Sequence, residues 1–379
     1  MKLFDVYPLH DITPVKGSGS KLWDDKGQEY LDLYGGHAVI SIGHSHPHYI
    51  KRIEKQLQEI GFYSNAVKIP QQEELATLLG AVSGYQDYQL FLSNSGAEAN
   101  ENALKMASFF NGRKKLIVME GAFHGRTSLA VAATDNPSLS APINTVDFIQ
   151  FIPLNDRKAL KAAMNETVCA VLIEGIQGVA GVNVPDAEFL QCARALCDKH
   201  GAVLIVDEVQ SGHGRSGRFF AHQHAEIQAD IITLAKGMGN GFPVAGTLFS
   251  PKFEAKYGLL GTTFGGNYLA CAASLAVLEV IQAEGLIDHA AEMGEYLRSQ
   301  LALIPGVVEV RGAGLMLGIK LPFMVASVRK ALLMEHFIFT GSASDVHTIR
   351  LLPALNVKKS DLDRFLSALK STLQISQAQ

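Results

Sequence analysis

The sequence predicts an α/β protein in which a large unit, built on a mostly parallel sheet flanked by helices, is joined to a smaller α+β unit. Three observations predict it. Short, almost continuously apolar runs rich in β-branched residues recur from Tyr88 onward, helical stretches long enough for crossovers separate them, and after Asn267 the pattern turns to helix. A chain of 379 residues, 47% hydrophobic and 18% charged, can fill the cores of two units that share a cleft.

The opening segment, to about Gly43, carries the alternating runs Lys21-Leu-Trp-Asp and Tyr30-Leu-Asp-Leu, read as short strands that join the C-terminal part. The large-sheet strands are expected at Gln89-Leu-Phe-Leu, Lys115-Leu-Ile-Val-Met, Ala170-Val-Leu-Ile, Ala202-Val-Leu-Ile-Val, Asp230-Ile-Ile-Thr-Leu and Val244-Ala-Gly-Thr-Leu-Phe. Their unbroken apolarity means cover on both faces, and segments such as Ala187 to His200 supply it. From Tyr268 the pattern is helical to about Ile304, before short strands and two further helices. The expected boundaries are 1–43 for an N-terminal segment joining the small domain, 44–279 for the large domain and 280–379 for the C-terminal small domain.

Composition narrows the function. A net charge of −4 without a block of Lys or Arg gives no footprint for nucleic acid or an anionic membrane. Met1 to His10 is broken by Asp5, Pro8 and His10, and no run is long and apolar enough to span a bilayer, so a cytoplasmic enzyme acting on small molecules is expected. Cys169, Cys192, Cys197 and Cys271 have no C-x-x-C spacing and read as free thiols. The runs His44-Ser-His46-Pro-His48 and His222-Gln-His224 lack Cys or carboxylate partners at ligand spacing, so no metal is expected.

The glycine-rich turns do not fit a dinucleotide. Gly237-Met-Gly239-Asn-Gly241 places Phe242, and Gly312-Ala-Gly314 places Leu317, where the third glycine of G-x-G-x-x-G belongs. Three other constellations carry chemistry. Strand Gln89 to Leu92, then Ser93-Asn-Ser95-Gly96-Ala97, then a helix from Glu98 forms an N-terminus able to hold a phosphate; the same residues also fit a capping serine with no ligand. The apolar run from Ala202 ends in Asp207, which needs a cation or donors when buried: a protonated pyridine nitrogen or an arginine would both serve, and Val209 shares its face. Ile231 to Lys236 ends in a lysine before a glycine turn, where desolvation would make the amine a nucleophile for an aldehyde; a strand-end lysine reaching water is the plainer alternative.

Taken in order, Asn94-Ser-Gly-Ala-Glu-Ala-Asn100, Phe123-His-Gly-Arg126-Thr, Ile173-Glu-Gly-Ile-Gln177-Gly, Asp207-Glu-Val-Gln-Ser-Gly, Leu234-Ala-Lys236-Gly and Thr262-Thr-Phe-Gly-Gly-Asn267 resemble the class III, fold-type I aminotransferases that use pyridoxal 5′-phosphate (PLP), nearest the acetylornithine and succinylornithine group. The resemblance implies Lys236 as covalent anchor and proton carrier, Asp207 beside the pyridine nitrogen and Gln210 near the phenolic oxygen. Phe123 and Val209 would enclose the ring, with Glu174 also on the cofactor side. Ser95, Gly96 and Ala97 would take the phosphate, Thr263 reaching it from the partner of a homodimer. Arg126 and Arg350 match arginines that receive substrate carboxylates, and Tyr7, His37 and His124 fall at substrate-side positions. The implied reaction moves the terminal amino group of an N-acyl-ornithine to 2-oxoglutarate, in arginine metabolism.

Departures from that pattern concern substrate choice. Val179 stands where relatives carry a glutamate that neutralises the arginine corresponding to Arg350, so that arginine lacks its gate, and a succinyl carboxylate becomes a candidate ligand for it. Gly175, His37 and Tyr268 also leave the pattern. Free ornithine and 4-aminobutyrate remain alternative donors, and an inactive homologue that only binds a ligand is the alternative from another class.

Overall fold

The computed structural model describes residues 1–378. Its centre is a seven-stranded sheet in the spatial order Gln89–Ser93, Ala245–Phe249, Ile231–Leu234, Val203–Asp207, Val168–Glu174, Lys115–Met119, Ile149–Ile152. Only Ala245–Phe249 runs against its neighbours. Val168–Glu174 and Val203–Asp207 are buried at every residue, which is what strands covered on both faces require. All six strands expected from the apolar runs are present, and Ile149–Ile152 is an addition. That strand sits at the sheet edge with Gln150 exposed, so its alternation is too short to stand out in the sequence.

Register matters more than strand count. Glu174 lies opposite Asp207, and Asp207 opposite Thr233, so three parallel strands end level and bring polar side chains to one edge. The helix Gly96–Asn111 follows strand Gln89–Ser93 and ends where Gly112 turns left-handed, with φ 70°. The helix Ala187–His200 covers the sheet as expected, burying Phe189, Leu190, Ala193 and Cys197.

The helical stretch after Asn267 is two helices, Tyr268–Ala283 and Leu286–Leu301, bent by 66°. Gly285 supplies the break, with φ 61°, a conformation only glycine adopts at little cost. The opening segment forms the strands Pro14–Ser18, Lys21–Asp24 and Glu29–Asp32, and Ile338–Phe339 from far along the chain pairs parallel with the last of them. Leu31, Leu33 and Ile42 share one apolar cluster with Leu317, Ile349 and Phe365. A three-stranded antiparallel sheet, Glu309–Ala313, Met316–Lys320 and Thr348–Leu351, carries Arg350 on its last strand. Among the described residues no single helix is long and apolar enough to cross a membrane.

Candidate active site

Beyond the level strand ends lies a cavity of about 340 Å³, at the carboxyl edge where open α/β sheets bind ligands. Lys236, Asp207, Glu174, Phe123, Val209 and Gln210 face it, with Ser95, Gly96 and Ala97 at one end. Ser95 is the N-cap of the helix Gly96–Asn111: its Oγ accepts from Glu98 N at 3.2 Å, and Glu98 Oε2 in turn accepts from Asn94 N at 2.6 Å. The amides of Gly96 and Ala97, in the first turn, have no intrahelical acceptor and present a partial positive charge to the cavity. A Cβ on Gly96 would stand 2.8 Å from Val209 Cγ1, so the helix end closes directly on Val209.

Asp207 is 5% exposed and held by three donors. Oδ2 accepts from Asn100 Nδ2 and His124 Nδ1, both at 2.8 Å, and Oδ1 accepts from Val209 N at 2.9 Å. Thr233 Oγ1 donates to Asn100 Oδ1 at 2.7 Å and fixes that amide. The two oxygens of a carboxylate have about four acceptor positions, and three donors leave capacity for one more from the cavity. Beside it, Glu174 accepts from Phe123 N at 3.0 Å and Gly178 N at 3.2 Å. Burial, with the Asp207 charge adding to it, pushes the Glu174 carboxyl up to about 7.

Lys236 follows the strand Ile231–Leu234 with a left-handed φ of 45°. Burial pushes its amine down to about 8, against the opposing pull of Asp207 and then Glu174. No carboxylate stands within ion-pairing distance of it among the described residues. The amine therefore has an appreciable neutral fraction near neutral pH, as a nucleophile for a carbonyl requires.

The remaining expected residues divide into two groups. Gln210 donates from Nε2 to His37 O at 3.2 Å and accepts from Arg350 Nη1 at 3.4 Å, so His37 and Arg350 adjoin the cavity through Gln210 without facing it directly. Arg126 and Thr263 are exposed, and Tyr7 is 69% exposed; none of the three lines the cavity of the single chain. His124 does line it, but its side chain is fully enclosed and its Nδ1 is committed to Asp207. Sequence reading overlooked Asn100 and Thr233, although Asn100 closes one of the quoted motifs. It also overlooked a buried chain: Ser211 Oγ donates to Glu208 Oε2 at 2.6 Å, Glu208 Oε1 accepts from His222 Nδ1 at 2.8 Å, and His222 Nε2 accepts from Tyr85 OH at 2.6 Å. Tyr85 lies 137 residues from His222, a separation no spacing rule joins.

Residues 5–373 match the family model for class-III aminotransferases. The chain belongs to the class-III aminotransferases. It is 38% identical over 387 residues to an acetylornithine aminotransferase of Nitrosomonas europaea, with 98% of this chain and 97% of that protein covered. It is 41% identical over 378 residues to the acetylornithine aminotransferase of Streptomyces coelicolor, covering 98% and 93%. Among solved structures, the ornithine aminotransferase of Toxoplasma gondii superposes with a TM-score of 0.91 at 29% identity, covering 98% and 93%. The acetylornithine aminotransferase of Elizabethkingia anophelis gives 0.85 at 29%, covering 98% and 96%. A second structure of the Toxoplasma enzyme contains PLP at partial occupancy in its active site.

As a class-III aminotransferase the chain is a PLP-dependent transaminase of fold type I, and its substrates are an amine and a 2-oxo acid. The site's residues fit that cofactor. An amine without an anionic partner, a buried carboxylate with one acceptor position left and a glycine-closed helix terminus converge on one cavity, matching in turn an aldehyde, a ring N–H and a phosphate.

Proposed function

We propose that this class-III aminotransferase transfers the terminal amino group of an N-acyl-ornithine to 2-oxoglutarate, with Lys236 and Asp207 as its catalytic residues. The observation that carries the reading is that Lys236, Asp207 and the amide terminus of the helix Gly96–Asn111 line one cavity. The relatives named as acetylornithine aminotransferases support the donor.

PLP, when bound, supplies an electrophilic aldehyde and an electron-withdrawing ring. The chain's own residues do the rest. Ser95, Gly96 and Ala97 hold the phosphate by amides, a hydroxyl and the helix dipole. Asp207, oriented by Asn100, His124 and the Val209 amide, would accept from the ring nitrogen of the bound cofactor. Phe123 and Val209 would enclose the ring, Gln210 would lie near its phenolic oxygen, and Glu174 fixes the Phe123 amide. With PLP bound, the Lys236 amine would be the group that meets its aldehyde, and the same amine would hold and move a proton at the substrate's reacting carbon. Arg126 and Arg350 would receive carboxylates and His37, joined to the cavity through Gln210, would border the substrate; Tyr7, exposed and outside the cavity of the single chain, could do so only from a partner subunit.

Thr263 is exposed and lies outside the cavity, which supports its reaching the phosphate of a neighbouring subunit in a homodimer. The exposed aromatics Phe62, Tyr63 and Phe264 offer that assembly an apolar contact. The N-terminal strands belong with the C-terminal part in a smaller domain, supported by the parallel pairing of Ile338–Phe339 with Glu29–Asp32. Four free cysteines suit a reducing cytoplasm.

A second acyl group is favoured by a specific observation: Arg350 is 4% exposed, no carboxylate stands within ion-pairing distance of it among the described residues, and the cavity residue nearest in kind to a gate is the apolar Val179. A succinyl carboxylate would satisfy it. Specificity constants for acetylornithine, succinylornithine, ornithine and 4-aminobutyrate against 2-oxoglutarate test the substrate. An acyl-ornithine is expected to lead, and a lead by either unacylated amine refutes the reading.

A further inference from the structure

Arg350 is a buried cation with no carboxylate in ion-pairing distance among the described residues, Glu174 being felt only from farther off, and an aromatic side chain stands against it. Its Nε donates to Ser342 O, its Nη1 reaches Gln210 Oε1 at 3.4 Å and its Nη2 reaches Tyr34 OH at 3.5 Å. The guanidinium carbon lies over the Tyr34 ring, 5.9 Å from its centroid. Val179, whose carbonyl accepts from Ser344 N at 2.8 Å, fixes an apolar turn against the loop that Arg350 touches, and the acid of that loop, Asp345, is committed to Arg311 and Thr348.

Tyr34 is held in this position from two directions. Its hydroxyl hydrogen-bonds His37 Nδ1, and the two rings are 4.8 Å apart. His37 reaches it only because Gly36, His37 and Ala38 all take left-handed backbone angles. On the other side, Gly341 bridges to Arg350, and a Cβ on Gly341 would collide with Cε2 of Tyr34. The ring thus occupies a slot that glycine leaves open directly across from Arg350. The cover is also uncharged. Burial raises the Tyr34 phenol above its ordinary value, while burial and then the charges of Lys236, Arg350 and Arg126 lower His37. Arg329, the other cation felt by Tyr34, donates to Thr340 O at 2.9 Å and brings no anion either.

The geometry points to Tyr34, braced by His37 and seated in the Gly341 slot, as a neutral aromatic cover for Arg350 that takes the place of a carboxylate gate and sets the site's preference for substrates bringing a carboxylate to that arginine. A carboxylate gate would have to be pulled from a buried ion pair before a substrate anion could bind. An aromatic cover holds the guanidinium only by cation–π attraction and one long hydrogen bond to its hydroxyl, and yields to an anion with better hydrogen-bond geometry. Monocarboxylate donors meet an arginine that is shielded but still cationic, and donors with a second carboxylate gain a partner. This rests on Arg350 being a carboxylate receiver, as proposed above.

The test is calorimetric titration of the PLP-loaded protein with glutarate, a dicarboxylate that cannot transaminate, with and without chloride. Tyr34→Leu removes the cover, and Gly341→Ala displaces the ring while also placing a methyl 3.1 Å from Arg350 Cβ, so it is read only alongside Tyr34→Leu. Both should bind glutarate roughly 3- to 30-fold more tightly than wild type, with stronger competition by chloride. Tyr34→Phe keeps the ring and should fall between; being nearly isosteric, it answers the question if the other two fold poorly. Unchanged or weaker glutarate affinity in folded Tyr34→Phe and Tyr34→Leu overturns the cover. Arg350→Ala separates the two readings: if it binds glutarate as wild type does, the arginine's role falls, and the cover with it.

Discussion

The depressed basicity of Lys236 yields the sharpest prediction, because it can be measured on the cofactor-free protein. Burial brings the amine to about 8 from an ordinary 10.5. At a pH of about 7.5 the neutral fraction is then roughly a quarter, against about a thousandth for an unperturbed lysine, so Lys236 should outreact exposed lysines by about two orders of magnitude per unit intrinsic reactivity. Competitive amine acylation over a pH series, with each lysine-containing peptide quantified by mass spectrometry, gives the midpoint of Lys236 directly. Asp207 is the larger of the two carboxylate influences that hold the amine up, so Asp207→Asn should lower the midpoint further and Glu174→Gln should lower it less. The consequence for stability has a fixed sign. The folded state releases this proton more easily than the unfolded chain, so the protonated lysine burdens the fold fully below about 8, and the burden is relieved as pH rises toward 10.5. A midpoint for Lys236 at or above 10, or a rise after Asp207→Asn, would refute the reasoning.

Two further predictions concern the frame around the site. Gly96→Ala drives a methyl to within 2.8 Å of Val209 Cγ1, so the helix terminus and the Val209 wall must part. Overpacking of this kind costs about 1–3 kcal/mol, and PLP affinity, followed by absorbance titration of the apoprotein, should fall roughly 5- to 100-fold while the far-ultraviolet dichroism stays unchanged; an unaltered affinity would show that the helix end does not hold the phosphate. Glu208→Ala leaves His222 and Ser211 without their buried acceptor. A loss of about 3–5 kcal/mol in urea unfolding is expected, and a loss below about 1 kcal/mol would show that water or a neighbour replaces the carboxylate at little cost.

Much of this protein was legible in the linear chain because the signals are local. Six sheet strands could be read from unbroken apolar runs, since a strand buried on both faces has no polar alternation to blur it, and Val168–Glu174 and Val203–Asp207 are the clearest cases. The family could be read too, because Ser95-Gly96-Ala97, Asp207 and Lys236 each sit at a strand end or helix start, positions that sequence pattern marks. The edge strand Ile149–Ile152 and the break at Gly285 escaped, the first for lack of length and the second because one glycine in an apolar helical pattern does not announce a bend of 66°.

What the sequence determined, then, is which residues have the right chemistry and which short elements carry them: a nucleophilic amine, an acid and an amide-rich helix start, each specified by its own dozen neighbours. What only the tertiary structure decided is how those groups are tuned. The three donors on Asp207 come from Asn100, His124 and Val209, the cover on Arg350 is Tyr34, and the descent of Lys236 to about 8 comes from enclosure by parts of the chain hundreds of residues apart. Desolvation and hydrogen bonding act through distance in space, and distance along the chain carries almost no information about it.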